Sequence, residues 1–259
     1  MQTKPSDILS LMKLITLNAW GGRVREPLEK FVDHHRDADT LCLQEVYRDR
    51  YESPDNIDRS KANFNLYQDL QKRLDGHNHE FCQMLGGIYG LATFTNAGVE
   101  VIERGETLVA RGNWHETLDL KNRDLNRKLM WFEARIRGKM VLVVNTHLTH
   151  RPEGKMDSEK RINQSKIIVE FLRMFDCSKI LCGDFNLLPD TESIRAIEAS
   201  GMRNLVKEYG VESTRTELYK KPLRFADYIF VSPDVKVNDF RVLPDVVSDH
   251  SPLYLDFEV

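Results

Sequence analysis

Long hydrophobic runs are missing from this chain of 259 residues. None approaches the ~20 consecutive apolar positions of a membrane-spanning helix, so no membrane insertion by a helix is expected. The opening stretch MQTKPSDILSLMKLITLNAW has no basic n-region, no long apolar h-region and no small-residue cleavage site, and it is not read as a signal peptide. Cysteine is scarce. Cys42, Cys82, Cys177 and Cys182 form no C-x-x-C pair, and Cys42 and Cys182 lie inside apolar runs. That spacing argues against zinc or a disulfide framework and for free, buried thiols in a cytoplasmic protein. An excess of one charge is missing too: 37 Lys and Arg stand against 40 Asp and Glu, a formal net charge of -3. No global field then draws the chain to nucleic acid, while a local basic groove stays compatible. Internal repeats, low-complexity segments and Gly/Ser linkers are absent as well. Residues 1–259 are therefore expected to form a single domain, with 1–12 as a short tail.

What the chain does have is a succession of short apolar runs. Strands are expected at 13–18, 40–45, 79–84, 89–95, 98–104, 128–137, 140–147, 179–184, 226–231, 235–243 and 253–258. Helices are expected near 27–36, 62–74, 157–175 and 192–199. In the third of these, Asp157 or Ser158 can cap, and Ile162, Ile168, Phe171, Leu172 and Phe175 share a broad face. Strands in the majority, with helices at intervals, suit two sheets packed face to face with helices outside. Two connections, about 46–61 and 106–126, are long and irregular, as functional loops are. In the second, Trp114 and His115 either stack on a base or pack on the core.

The strand ends carry the chemistry. In ILCGDFNLLPD (180–190) an apolar run stops at Gly183 and presents Asp184 and Asn186 around Phe185. Alternate strand residues share a face, so the acid and the amide should project together. Phe185 should anchor in the core between them. Asn18 ends the first strand, Glu45 the second, and His147 the strand of VVNTHLTH, with His150 just beyond. Asp227 opens the strand of ADYIFV, and Asp249 and His250 precede the last strand. One such residue is an ordinary turn or cap residue, and Asp190 is assigned to that class, before helix 192–199. Six strands with complementary carboxylates, imidazoles and amides describe phosphoester hydrolysis better: oxygens for Mg²⁺, a His–Asp pair for protons, amides for phosphoryl oxygens.

LITLNAWGG, LCLQEV, VVNTHL, GDFNLLPD, ADYIFV and SDHSPL occur in the order and roughly at the spacing of the endonuclease/exonuclease/phosphatase superfamily, which this chain resembles over about residues 13–258. The resemblance implies an α/β fold, a four-layer α/β/β/α sandwich with two mostly antiparallel sheets. It implies a Mg²⁺-dependent phosphoesterase, Mn²⁺ able to substitute, that cleaves phosphodiesters by in-line attack of water. It implies Glu45, Asn18 and Asp249 around the metal, Asp184 on the attacking water, and Asn186 on the scissile phosphate. It further implies His250 oriented by Asp227, and His147 stabilising phosphoryl charge. Trp20 stands where many nucleases of the superfamily have an Asp. That departure argues against a simple abasic-site endonuclease and resembles the sphingomyelinase-like members.

Three readings of the substrate stay open. A nuclease or DNA-end-processing enzyme acting on DNA or RNA is supported by the basic segment 203–224, which leads into the Asp227 strand and should rim the site. His150, Lys221 and Arg224 are its candidate substrate contacts. EKRINQSK (159–166) also resembles the matching stretch of tyrosyl-DNA phosphodiesterase. The second reading is an enzyme for a lipid headgroup or small phosphoester, suggested by NAWGG. The third is a non-catalytic binding module on the same fold, which the intact Glu45, Asp184, Asn186, Asp227 and His250 disfavour. No protein partner is readable from the sequence.

Overall fold

Every position from Leu14 to Leu17 is buried, although a strand with one wet face would alternate. The reason is that helices cover the strand on one side and a second sheet covers it on the other. The computed structural model describes residues 12–49, 62–113, 124–150 and 154–259. In chain order these form β1 (Met12–Asn18), a 3-10 turn (Trp20–Gly22), α1 (Arg25–His34), β2 (Thr40–Tyr47), α2 (Leu66–Arg73), β3 (His77–Leu85), β4 (Tyr89–Asn96) and β5 (Glu100–Ala110). Next come β6 (Arg127–Ile136), β7 (Lys139–His147), α3 (Glu159–Arg173), β8 (Ser178–Asp184), α4 (Glu192–Ala199) and β9 (Arg203–Asn204). The chain closes with α5 (Leu205–Glu208), β10 (Asp227–Val231), β11 (Lys236–Val242) and β12 (Leu253–Glu258).

The strands form two six-stranded mixed sheets flanked by helices, ordered β11-β12-β1-β2-β4-β3 and β5-β6-β7-β8-β10-β9. Ile15 and Leu17 share one apolar cluster with Leu28, Phe31 and Val32 of α1 and Leu66 and Leu70 of α2. Leu14 and Cys42 join Val143, Ile180, Cys182 and Ile229 of the other sheet in a second cluster. The four-layer expectation is met.

Each sheet holds one parallel pair, β1 with β2 and β7 with β8. A parallel pair needs a long crossover, here carried by α1 and α3, and both of its strands end at the same edge. Asn18 thereby lies beside Gln44, and His147 beside Asp184. The antiparallel β10 begins where β8 ends, with Asp227 opposite Asp184. The last strand, β12, runs against β1, which brings His250 to the same rim. Topology alone therefore gathers the six polar strand ends at one edge of the sandwich.

Beneath that edge a polar bridge crosses the interior. Gln44 Nε2 donates to Asn145 Oδ1 at 2.7 Å and to Thr16 Oγ1 at 3.0 Å. Asn145 Nδ2 donates in turn to the carbonyl of Leu43 at 3.2 Å. Gly183 lets β7 and β8 close up: at φ +133°, a Cβ there would lie 2.0 Å from the carbonyl oxygen of Thr146.

Several boundaries differ from expectation. The fifth strand begins later and runs on to Ala110, and the second continues to Tyr47. Both replace the starts of the expected loops 46–61 and 106–126. Residues 50–61 and 114–123, with Trp114 and His115, lie outside the described residues, as do 1–11 of the expected tail. Ser158 caps α3, accepting from Arg161 N, whereas Asp157 reaches across to α4 and accepts from the backbone N–H of Glu192 at 2.6 Å and of Ser193 at 3.1 Å. Asp190 lies in the turn before α4, the first of its two expected roles, and Asp157 rather than Asp190 satisfies two orphan N–H groups of that helix. All four cysteines are free, and only Cys177 is partly exposed.

Candidate active site

Asp184 is the centre of the polar edge and is 1% exposed. Its Oδ2 accepts from Asn18 Nδ2 at 2.9 Å, and its Oδ1 from the backbone N–H of Asn186 at 2.8 Å. Two imidazoles face Oδ2, His147 Nε2 and His250 Nε2, each at 3.7 Å. Burial alone would raise this carboxyl. His250, then Lys155 and Arg215, outweigh it, with His147 adding only once its ring is protonated, and hold Asp184 well below the usual carboxylate range. An ionised, buried acceptor between two imidazoles is placed to accept hydrogen bonds and orient a water.

Asn186 reaches Asp184 differently from expectation. The strand ends at Asp184, and Asn186 sits beyond it at φ 56°. The two side chains converge through a turn closed by the Asp184–Asn186 bond, not through the pleat of one strand. Phe185 between them is fully buried and packs edge-on to Tyr228, with ring centroids 5.5 Å apart. Asn186 Oδ1 accepts from Lys155 Nζ at 2.9 Å. Lysine has no acceptor, which fixes that atom as oxygen and makes His150 Nδ1, 3.1 Å away, a second donor to it. Burial, then Lys155, presses His150 down to about 4, so the ring is neutral at pH 7.

Glu45 is also at positive φ, 56°, in an irregularity of the β2–β4 pairing between Leu43 and Val46. The bulge re-aims consecutive side chains. Gln44 stays in the interior bridge, while Glu45 turns over the edge and accepts from Asn18 Nδ2 at 3.0 Å. Trp20, Glu45 and Asn186 are three of the four non-glycine residues at positive φ among the described residues. Such strained positions cluster at functional sites. Burial raises the Glu45 carboxyl, and the nearby acids Asp249 and Asp184 add to this against the Asn18 bond and His250.

His250 Nδ1 lies 2.9 Å from both oxygens of Asp227. Burial pushes this imidazole down, but Asp227 and Asp184 prevail over that and over Arg215, and its pKa is raised. Its Nδ1–H therefore points at Asp227, and Nε2 faces the site. His147 takes the opposite course: burial, then Arg127, drives it down to about 3, leaving a neutral ring. Two histidines facing one carboxylate are thus shifted in opposite directions.

Glu45, His147 and Asp184 each offer a ligand atom, all within 4.8 Å of one another. Asp249 Oδ1 is buried without a hydrogen-bond partner and lies 3.8 Å from His250 Nε2. Crowded carboxylates with a raised Glu45 suit a hard divalent cation. Asn18 sits among these groups: its oxygen accepts the Trp20 N–H at 3.0 Å and its amide nitrogen bonds Glu45 and Asp184. It braces the two carboxylates through its amide nitrogen. A second group, Asp184, Asp227 and His250, is as close-set, but the His250–Asp227 bonds already occupy it.

Of the basic segment, little faces outward unpaired. Arg203 pairs with Glu208 and Lys207 with Glu198. Arg224, a candidate substrate contact, donates within its own loop to the carbonyls of Arg215 at 2.7 Å and Thr216 at 3.0 Å. Lys221 is exposed, and its charge reaches His150. Arg215 is the segment's buried cation: it pairs with Asp249 at 2.8 Å and lies 4.2 Å over the Tyr219 ring, while its backbone pairs antiparallel with that of His250. Its site role was not separable by sequence from its exposed neighbours. Lys155 was missed altogether, lying in an irregular segment with no strand-end signal. Arg161 was missed also; it donates to the carbonyls of His150 at 2.8 Å and Gly154 at 2.7 Å and shapes that segment.

A model of the Endonuclease/Exonuclease/phosphatase family matches residues 15–250. No curated protein matches the chain in sequence. Among solved structures, a mannosyl-6-phosphatase of Bacteroides thetaiotaomicron VPI-5482 is similar, with a TM-score of 0.71 and 19% identity over 96% of this chain and 100% of that one. The human nocturnin catalytic domain, solved with a sulfate anion, gives 0.68 and 20% over 96% and 93%. D. rerio TDP2, solved with a single-strand DNA product, gives 0.69 and 16% over 96% and 100%. At these identities the likeness is one of fold.

Proposed function

The chain belongs to the Endonuclease/Exonuclease/phosphatase family and is a phosphoric ester hydrolase, and from that premise we propose that it cleaves phosphodiester bonds of a nucleic acid or a DNA end with Mg²⁺ as its metal. The observation that carries the reading is the buried Asp184 with Nε2 of His147 and of His250 each 3.7 Å from its Oδ2, and His250 Nδ1 paired with Asp227. Asp184 orients the attacking water and receives its proton. His250, steadied by Asp227, donates through Nε2 to the phosphoryl or leaving oxygen, and His147 supports the same charge. Asn18 holds Glu45 and Asp184 in register, and Asn186 lies at the phosphate. Glu45, with Asp184 and the unpartnered Asp249 oxygen at hand, would hold the metal, which supplies polarisation of a phosphoryl oxygen.

For nucleic acid, support comes from the exposed Lys220 and Lys221 and the buried Arg215 on the segment beside the site. The second reading, a lipid headgroup or small phosphoester, is favoured by one observation: Arg203, Lys207 and Arg224 are engaged within the protein. Binding and cleavage of labelled single-stranded DNA and of plasmid at 50 and 200 mM salt separate the two. A polyanion held by several Lys and Arg contacts loses affinity steeply over that range. A folded protein that ignores DNA but hydrolyses small diesters supports the second reading.

A further inference from the structure

Lys155 is a cation that the mechanism above leaves without a task. It is 3% exposed, and its carbonyl accepts from Leu188 N at 3.0 Å, which ties it to the loop leaving β8. An ammonium carries three donors. One goes to Asn186 Oδ1 at 2.9 Å, and among the described residues no other acceptor takes the remaining two. A buried charge left in this way is unfavourable unless an anion offsets it. The carboxylates nearby are engaged with others. Asp227 holds His250, Asp249 holds Arg215, and Asp184 accepts from Asn18 and from the Asn186 backbone. Lys155 forms no ion pair among the described residues, although the charges of Asp184 and Asp227 reach it.

We infer that Lys155 is a further catalytic residue, whose free N–H groups donate to a non-bridging oxygen of the scissile phosphate while its third fixes the amide of Asn186. This rests on the proposed function for the identity of the anion. Burial lowers the ammonium to about 8, with Arg215 and Arg161 acting the same way and Asp184 and Asp227 against, so it is charged at neutral pH. Asn186 and Lys155 would then form one phosphate-facing unit assembled from the loop after β8 and the turn before α3.

The test does not need turnover. Inorganic phosphate binding is measured by calorimetry on wild type, Lys155→Met and Lys155→Arg, with Mg²⁺ present and folding checked by circular dichroism. Lys155→Met should weaken phosphate at least tenfold, about 1.4 kcal/mol, while Lys155→Arg, which keeps the charge, recovers part of the loss. If the Met variant does not fold, Lys155→Gln serves the same comparison. Wild-type affinity in the neutral variant, or no phosphate binding by wild type, overturns the inference. So does lost turnover with phosphate binding intact, which would leave Lys155 as a positioning residue for Asn186 only. Failure of wild type to hydrolyse phosphodiesters, with phosphate binding lost on neutralising Lys155, would instead count against the proposed function.

Discussion

Replacing Asp184 by Asn changes one atom and should damage both stability and catalysis. The two carboxylate oxygens each accept a hydrogen bond, from Asn18 Nδ2 and from the Asn186 N–H. An amide has one oxygen, so whichever way it turns, its NH₂ faces a donor. An unsatisfied buried donor costs about 1–3 kcal/mol. For a domain of this size each kcal/mol moves Tm by about 2–4 °C, so the expected fall is about 2–12 °C. The substitution also removes the anion facing His250, His147, Lys155 and Arg215, which adds to the loss. Turnover should drop by about 10²–10³, the usual cost of one preorganised group. Guanidinium denaturation and Mg²⁺-dependent phosphodiester hydrolysis, run on the same preparation, read both effects. A variant as stable and as active as wild type would refute the assignment of Asp184 to the centre of the site.

Acid should destabilise the protein through its neutral histidines. His147 is lowered to about 3 and His150 to about 4. Each contributes stability that is present above the unfolded histidine value of about 6.5 and is lost as pH falls towards the folded value, at up to about 1.4 kcal/mol per pH unit per group. Denaturation in EDTA from pH 7 to 4 should show that slope, and His147→Asn should flatten it; an unchanged slope contradicts burial of a neutral ring. Asp157→Ala removes the side chain that caps α4 and should cost about 0.5–2 kcal/mol with kcat unchanged. A stable variant that lost activity would place Asp157 in the site. Asp227→Asn should lower the His250 pKa, since Asp227 is the main charge raising it, and an NMR titration of the ring that shows no fall would rule out the His250–Asp227 pairing.

The strand ends were readable in advance because each is a local event, an apolar run that stops at a polar residue, and because the family's ordered motifs fix their sequence. What escaped the sequence depends on pairing across the fold. The pleat rule places Gln44 and Glu45 on opposite faces, but only the β2–β4 irregularity shows how one enters the interior bridge and the other the site. The same rule joined Asp184 to Asn186 for the wrong reason: the left-handed turn at Asn186 brings them together after the strand has ended. Asp157, two residues before α3, read as a candidate cap beside Ser158, while its carboxylate serves another helix 35 residues on. Arg215 and Arg224 are alike in a mixed-charge segment, and only the chain's path decides that one meets Asp249 and the other braces a loop. Lys155, in an irregular turn, carries no periodicity from which burial could be inferred.

The most direct test of the account is hydrolysis of plasmid, single-stranded DNA and a small chromogenic phosphodiester by purified protein with Mg²⁺, beside the same reactions in EDTA and with His250→Ala. The account predicts metal-dependent cleavage of at least one of these, abolished by EDTA and reduced at least about 10²-fold in the folded variant. Cleavage by His250→Ala at the wild-type rate would contradict it.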